Sequence, residues 1–137
     1  MMKRAISAVC MALLSIAALP AGAHGPETVT PLFKRALPNV PGKALIAVEV
    51  CFPPGAASPA HTHPKSAFVY AYVLSGEILS AVGDEQPRLY RAGESWYEDP
   101  GARHTVTRNA GKDKPARLLA VFVTDRDDRE LVLPDTR

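Results

Sequence analysis

Cysteine is nearly missing from this chain, which holds only Cys10 and Cys51 in 137 residues. Cys10 falls inside an N-terminal apolar segment, so one thiol remains for the folded domain and no intramolecular disulfide can form. Cys51 lies in an apolar, strand-like run and reads as a small buried hydrophobe. An excess of one charge is missing as well. Lys3 and Arg4 account for the whole formal net charge of +2, and the remaining acids and bases balance. With no basic stripe or block, the electrostatic footprint of nucleic-acid binding is excluded. Sustained helical periodicity with caps is missing between residues 44 and 124, which argues against a helical or alternating α/β chain. There is no phosphate-cradling glycine loop, no CxxC pair and no dinucleotide fingerprint. Glu98 and Asp99 adjoin each other, but neighbours on a strand face opposite ways, so they are no paired-carboxylate acid–base site.

The N-terminus has its own logic. Lys3 and Arg4 precede an uncharged apolar run over residues 5–19, then Pro20 and the small residues Ala21-Gly22-Ala23. That order is expected of a secretory signal peptide spanning residues 1–23. The run is shorter than the ~20 residues a membrane span needs, so no stable membrane anchor is expected after cleavage. Secretion, with the periplasm as the compartment that suits a short export signal, is the expected localisation.

Residues 24–43 are rich in Pro and Gly and read as an extended arm, with a short strand near Val29. From residue 44 the chain becomes a series of short apolar, β-branched segments. ALIAVEVCF (44–52), AFVYAYVLS (67–75), ILSAV (78–82), RLYRAG (88–93), SWYE (95–98), HTVTR (104–108) and RLLAVFVT (117–124) are separated by Gly and Pro turn signals. Many short strands at regular intervals predict an all-β antiparallel sandwich or small barrel over residues 44–124. AFVYAYVLS is apolar on both parities, so both faces of that strand are expected to be covered. The charged tail, residues 125–137, is expected to fray or to add one edge strand at residues 131–133.

The chemistry-bearing residues are four histidines: His24, His61, His63 and His104. His24 is expected to be an exposed N-terminal residue. Alternation along a strand points His61 and His63 the same way, with Cα atoms about 7 Å apart, so both rings can reach one ion. Imidazole suits Zn, Cu, Fe and Ni. His104 follows a Pro-Gly turn, where a neighbouring strand can supply a third ligand. Gly55 stands five residues before His61-Thr62-His63, and Gly76 follows. Gly93 precedes Pro100-Gly101, His104 and Asn109.

These two groupings resemble the paired motifs of the cupin superfamily, small β-barrels, and most closely its small single-domain secreted members. The resemblance covers roughly residues 44–124. It implies an antiparallel jelly-roll of two facing sheets, with His61, His63 and His104 as three of the family's four metal ligands. The fourth, usually a Glu, falls on Val69, and no Asp or Glu occurs between His63 and Glu77.

Three readings stay open. The centre has three histidines, as in some cupin dioxygenases of the diketone-cleaving kind. Or another acid replaces the missing one, and Glu98, which shares strand parity with Trp96 and His104, is the candidate, as a direct ligand or as a partner orienting one. Or the barrel is a metal-free cavity for a small ligand.

The resemblance implies a divalent transition metal (Fe, Mn, Zn, Cu or Ni) and a small-molecule substrate. The chemistry is expected to be that of a dioxygenase-like oxidoreductase or a Lewis-acid isomerase, with a non-catalytic binding protein as the alternative. Tyr70, Tyr72, Trp96 and Arg103 are the candidate substrate-pocket residues. A homodimer through an exposed barrel edge is expected beside either role.

Overall fold

The computed structural model describes residues 25–136. The expected signal peptide, and His24, lie outside the described residues. The fold is all-β, and among the described residues no helix occurs. Among the described residues, eleven strands make two antiparallel sheets. The first sheet has five strands in the order β1 (Thr28–Ala36), β2 (Lys43–Phe52), β10 (Ala116–Asp125), β5 (Phe68–Ser75) and β8 (Ser95–Glu98). The second runs β11 (Leu133–Pro134), β4 (His61–Thr62), β9 (Arg103–Asn109), β6 (Glu77–Val82) and β7 (Arg88–Arg91), with the short β3 (Ala57–Ser58) also on β9. Chain neighbours often sit in different sheets, which is the jelly-roll signature.

The core forms where the two sheets face each other. Ile46, Val48 and Phe52 of β2, Leu118, Ala120 and Phe122 of β10, and Val69, Ala71 and Val73 of β5 point inward and are buried. Their spacing of two is the alternation a half-buried strand requires. Ile78 and Tyr90 answer from the second sheet. Gly76, which links β5 to β6, has φ +74°, and a Cβ there would lie 2.9 Å from both Ala116 Cα and the Pro115 carbonyl oxygen. Only glycine meets both demands. Asn109 is buried and closes another junction: its amide donates to the carbonyls of Phe52, Pro53 and Lys114, and its Oδ1 accepts from the Gly111 N–H.

Three features differ from the reading of the sequence. The N-terminal arm contains a nine-residue strand, β1, paired with β2 across a bulge between Pro31 and Phe33. Local signals were weak because Pro and polar residues interrupt it, and pairing with β2 stabilises it instead. In the tail the edge strand is shifted slightly, to Leu133–Pro134, where it pairs with β4. The third difference is in β5, only one face of which is covered. Val69, Ala71 and Val73 are inside, whereas Tyr70 is 42% exposed and Phe68 and Leu74 are also exposed.

Candidate metal centre

Pairing between strands assembles the histidines. His61 on β4 is the direct register partner of His104 on β9. His63, two residues past His61, returns to the same side. The ring centroids of His61 and His63 are 5.0 Å apart, and those of His61 and His104 are 5.1 Å apart. One nitrogen from each ring lies within 4.8 Å of the others. His63 and His104 are buried and His61 is half-buried. Three imidazole nitrogens this close can share one ion.

Glu98 meets this cluster from the other sheet. It sits on β8, directly opposite Val69 on β5. It is 2% exposed, a very high degree of burial for a carboxylate. Oε1 lies 3.1 Å from His104 Nδ1, and Oε2 lies 3.2 Å from His63 Nε2. Trp96 Nε1 donates to Oε1 over 3.3 Å. The acid missing from β5 is thus supplied one strand away, into the same volume. In the sequence these positions are 29 residues apart, and only the β5–β8 ladder makes them neighbours.

The hydrogen bonds around the rings determine which nitrogens are available. A carbonyl can only accept, so His63 Nδ1–H donates to the Leu131 carbonyl at 2.5 Å and His61 Nδ1–H donates to the Pro59 carbonyl at 2.9 Å. In the neutral rings both Nε2 atoms then carry lone pairs. His104 Nε2 is 2.8 Å from the hydroxyls of both Ser80 and Thr107. These hydroxyls can turn to donate or accept, so Nε2 keeps a partner in either tautomer, whereas Nδ1, 3.1 Å from the ionised Glu98 Oε1, carries the proton unless a cation takes its place.

The charges are arranged for a cation. Burial keeps His61 below its ordinary pKa, and burial lowers His104 to about 4, aided by the other two histidines and opposed by Glu98. Both are neutral near pH 7, the form that ligates metals. At His63 burial disfavours charge, but the Glu98 carboxylate and the Leu131 carbonyl outweigh it and raise the pKa. Burial acts to raise the Glu98 pKa, and the neighbouring imidazoles and Trp96 overcome it, so the carboxyl is held ionised.

The fit to a metal can be tested on one atom. Glu98 Oε2 is buried and has no aligned hydrogen-bond donor, although His63 Nε2 is 3.2 Å away. With the His63 proton on Nδ1, a lone pair confronts a carboxylate oxygen. That contact is unfavourable unless a positive charge lies between them, either a proton or a metal ion. Three imidazoles and one carboxylate form a donor set suited to a divalent transition ion.

The four expected pocket residues lie elsewhere or act differently. Tyr70 and Tyr72 are on the opposite face of β5 from Val69 and Ala71, because alternation turns them outward, and they do not line the cavity. Trp96 is buried against Tyr90, with its edge toward His104, and it positions Glu98 instead of facing a ligand. Arg103 does not line the cavity itself; its guanidinium pairs with Asp135 of the tail, which does. The sequence reading did not single out Leu131, Ser80 or Thr107. No local pattern marks a backbone carbonyl or a strand hydroxyl as a histidine partner.

No functionally curated protein matches the chain. Among solved structures, a protein of Thermus thermophilus is 26% identical, with a TM-score of 0.60, over 72% of this chain and 84% of its own length. An oxalate oxidase in complex with the substrate analogue glycolate is 26% identical with a TM-score of 0.59, covering 83% of this chain but 58% of its own. The DMSP lyase DddQ of Ruegeria pomeroyi is 27% identical with a TM-score of 0.55, over 66% of this chain and 42% of its own length. This chain thus spans about half the length of the two enzymes. Residues 48–122 match the cupin domain family. With that match and its two-sheet jelly-roll, the chain belongs to the cupin family.

Proposed function

We propose that this protein is a secreted, periplasmic cupin that binds one divalent transition metal through His61, His63, His104 and Glu98 and acts on a small molecule at that centre. The observation that carries this reading is the buried, unaligned Oε2 of Glu98, aimed at His63 from the position opposite Val69. A bound ion would supply Lewis acidity or, if redox-active, access to oxygen chemistry. The chain's own groups hold and tune the donors: Trp96 orients the carboxylate, while Leu131, Pro59, Ser80 and Thr107 fix the three rings. Small-molecule turnover in relatives named for oxalate and DMSP supports a small substrate here. Among metal enzymes the reading favours a dioxygenase-like oxidoreductase, with isomerisation as the Lewis-acid alternative. The N-terminal pattern of Lys3, Arg4 and the apolar run supports export.

The test is elemental analysis of protein purified from its own host, with chelator-competition titrations. Near-stoichiometric metal, lost in His61→Ala and His104→Ala variants that still fold, is the expected result. A metal-free protein whose small-ligand affinity is indifferent to chelator would establish the competing reading, a non-catalytic binding cupin.

The exposed face of β5 supports a homodimer. Phe68, Tyr70 and Tyr72 continue sideways into Val121 and Val123 on β10 and Tyr97 on β8, and the rings of Phe68 and Tyr97 stack at 5.8 Å. The charged pair on this face, Glu49 and Arg117, is internally neutralised.

A further inference from the structure

The cavity beside the centre has a volume of about 370 Å³, and its two walls differ in kind. One is the inner face of the first sheet, hydrocarbon over Val48, Val50, Val69, Ala71, Ala120 and Phe122 and interrupted only at its β8 edge by Glu98. The other belongs to the second sheet and presents His61, His63, His104 and Thr107. Three carboxylates complete the lining. Glu98 lies against the histidines, Glu27 accepts from the Ser58 hydroxyl, and Asp135 is paired with Arg103. No lysine or arginine is among the described residues that line the space.

From this asymmetry we infer that the ligand is a small, uncharged molecule with a hydrocarbon body and one oxygen-bearing end, and that the site rejects dicarboxylates. The inference rests on the reading that this cavity is the working site. The hydrocarbon body packs on the first sheet, where burial of apolar surface yields about 25 cal/mol per Å². The oxygen faces the imidazoles. A second carboxylate, on a ligand longer than oxalate, would lie on aliphatic side chains or near a protein carboxylate; no lysine or arginine lines the space, and the Arg103 guanidinium at its rim is already paired with Asp135. Val69 contributes to this selectivity: with the acid moved across to Glu98, the β5 position becomes part of the apolar wall. At the ~30 Å³ that one water occupies in the liquid, the space holds about a dozen non-hydrogen atoms.

The experiment uses the full chain and three probes: 4-ethylphenol, oxalate and succinate. Each is titrated by calorimetry and by ligand-observed NMR, into metal-loaded protein and into EDTA-treated protein. We expect 4-ethylphenol to bind both forms, at least tenfold more tightly than succinate in each and than oxalate in the EDTA-treated protein, because adjacent carboxylates can chelate a bound ion without meeting the apolar wall. Binding should fall at least tenfold in Ala120→Phe, which fills the cavity, and in Val50→Phe, a change at a half-buried wall position that is easier to accommodate. Circular dichroism checks the fold of each. Succinate in either form, or oxalate in the EDTA-treated form, binding as tightly as 4-ethylphenol overturns the inference. So does an absence of 4-ethylphenol binding, or an affinity unchanged in the folded variants. The EDTA arm separates this outcome from the fate of the metal reading, because the apolar wall needs no ion.

Discussion

Moving the carboxylate between Val69 and Glu98 is the most informative perturbation of this centre. The two residues are direct partners on antiparallel strands, so their Cα atoms lie about 4.5–5.5 Å apart. A glutamate side chain is long enough to reach the same point from either strand. Glu98→Val should weaken metal binding 10- to 100-fold, about 1.4–2.7 kcal/mol, even if the carboxylate only supports the ligands. Val69→Glu with Glu98 retained places two carboxylates side by side in a buried space. At about 5 Å and an effective dielectric of about 20 their repulsion is about 3 kcal/mol, so the metal-free variant should melt well below wild type. Metal should restore much of that loss. The double variant Val69→Glu/Glu98→Val should regain metal affinity to within about tenfold of wild type, because the donor set is rebuilt. Chelator competition gives the affinities, and thermal melts with and without metal give the stabilities. If Glu98→Val keeps its metal affinity within threefold, or the folded double variant recovers none, the idea that β8 took over the role of β5 is wrong.

Other expectations follow from particular contacts. His104 is buried neutral with a pKa lowered to about 4 from 6.5, so its contribution is present above pH 6.5 and is lost as the pH falls toward 4. In metal-free protein this amounts to about 2 kcal/mol by pH 5, and His104→Asn should flatten that acid limb in urea titrations; an unchanged limb would count against the assignment. The raised pKa of His63 acts oppositely, with stability lost above pH 6.5 as the ring gives up its proton beside Glu98. Trp96→Phe keeps an aromatic ring but removes the donor to Glu98 Oε1; metal affinity should fall severalfold with a stability cost of about 1 kcal/mol, whereas an unchanged affinity would deny Trp96 a positioning role. Gly76→Ala forces a Cβ into Ala116 and Pro115 at a positive φ, and a loss of about 2 kcal/mol or more in denaturant melts is expected. Tyr70→Glu together with Tyr97→Glu should yield a monomer by light scattering without altering metal content; a dimer that survives both would place the interface elsewhere.

Much of this protein could be read along the chain. Strand alternation in ALIAVEVCF and RLLAVFVT marked the core faces, and the glycines marked the turns, because both signals are local. The His-x-His spacing announced two imidazoles on one side of the chain for the same reason. The aromatic run of β5 misled, since Tyr70 and Tyr72 are apolar enough to suggest burial yet alternate outward with Phe68. Their apolar face is not covered within one chain. Arg103 lies next to His104 in sequence, and adjacency on a strand is what keeps it out of the lining, where it pairs with Asp135 at the cavity's rim.

By itself the sequence determined the class of fold, the strands with strong alternation, and the identity of the three imidazoles, all through patterns shorter than a dozen residues. Only the tertiary structure decided that Glu98 reaches the histidines from opposite Val69, that a tail carbonyl fixes His63, and that the rest of that sheet's inner face lines the cavity with hydrocarbon. Those facts depend on register between strands distant in the chain, and pairing energy across a sheet leaves no mark on the spacing of residues along it.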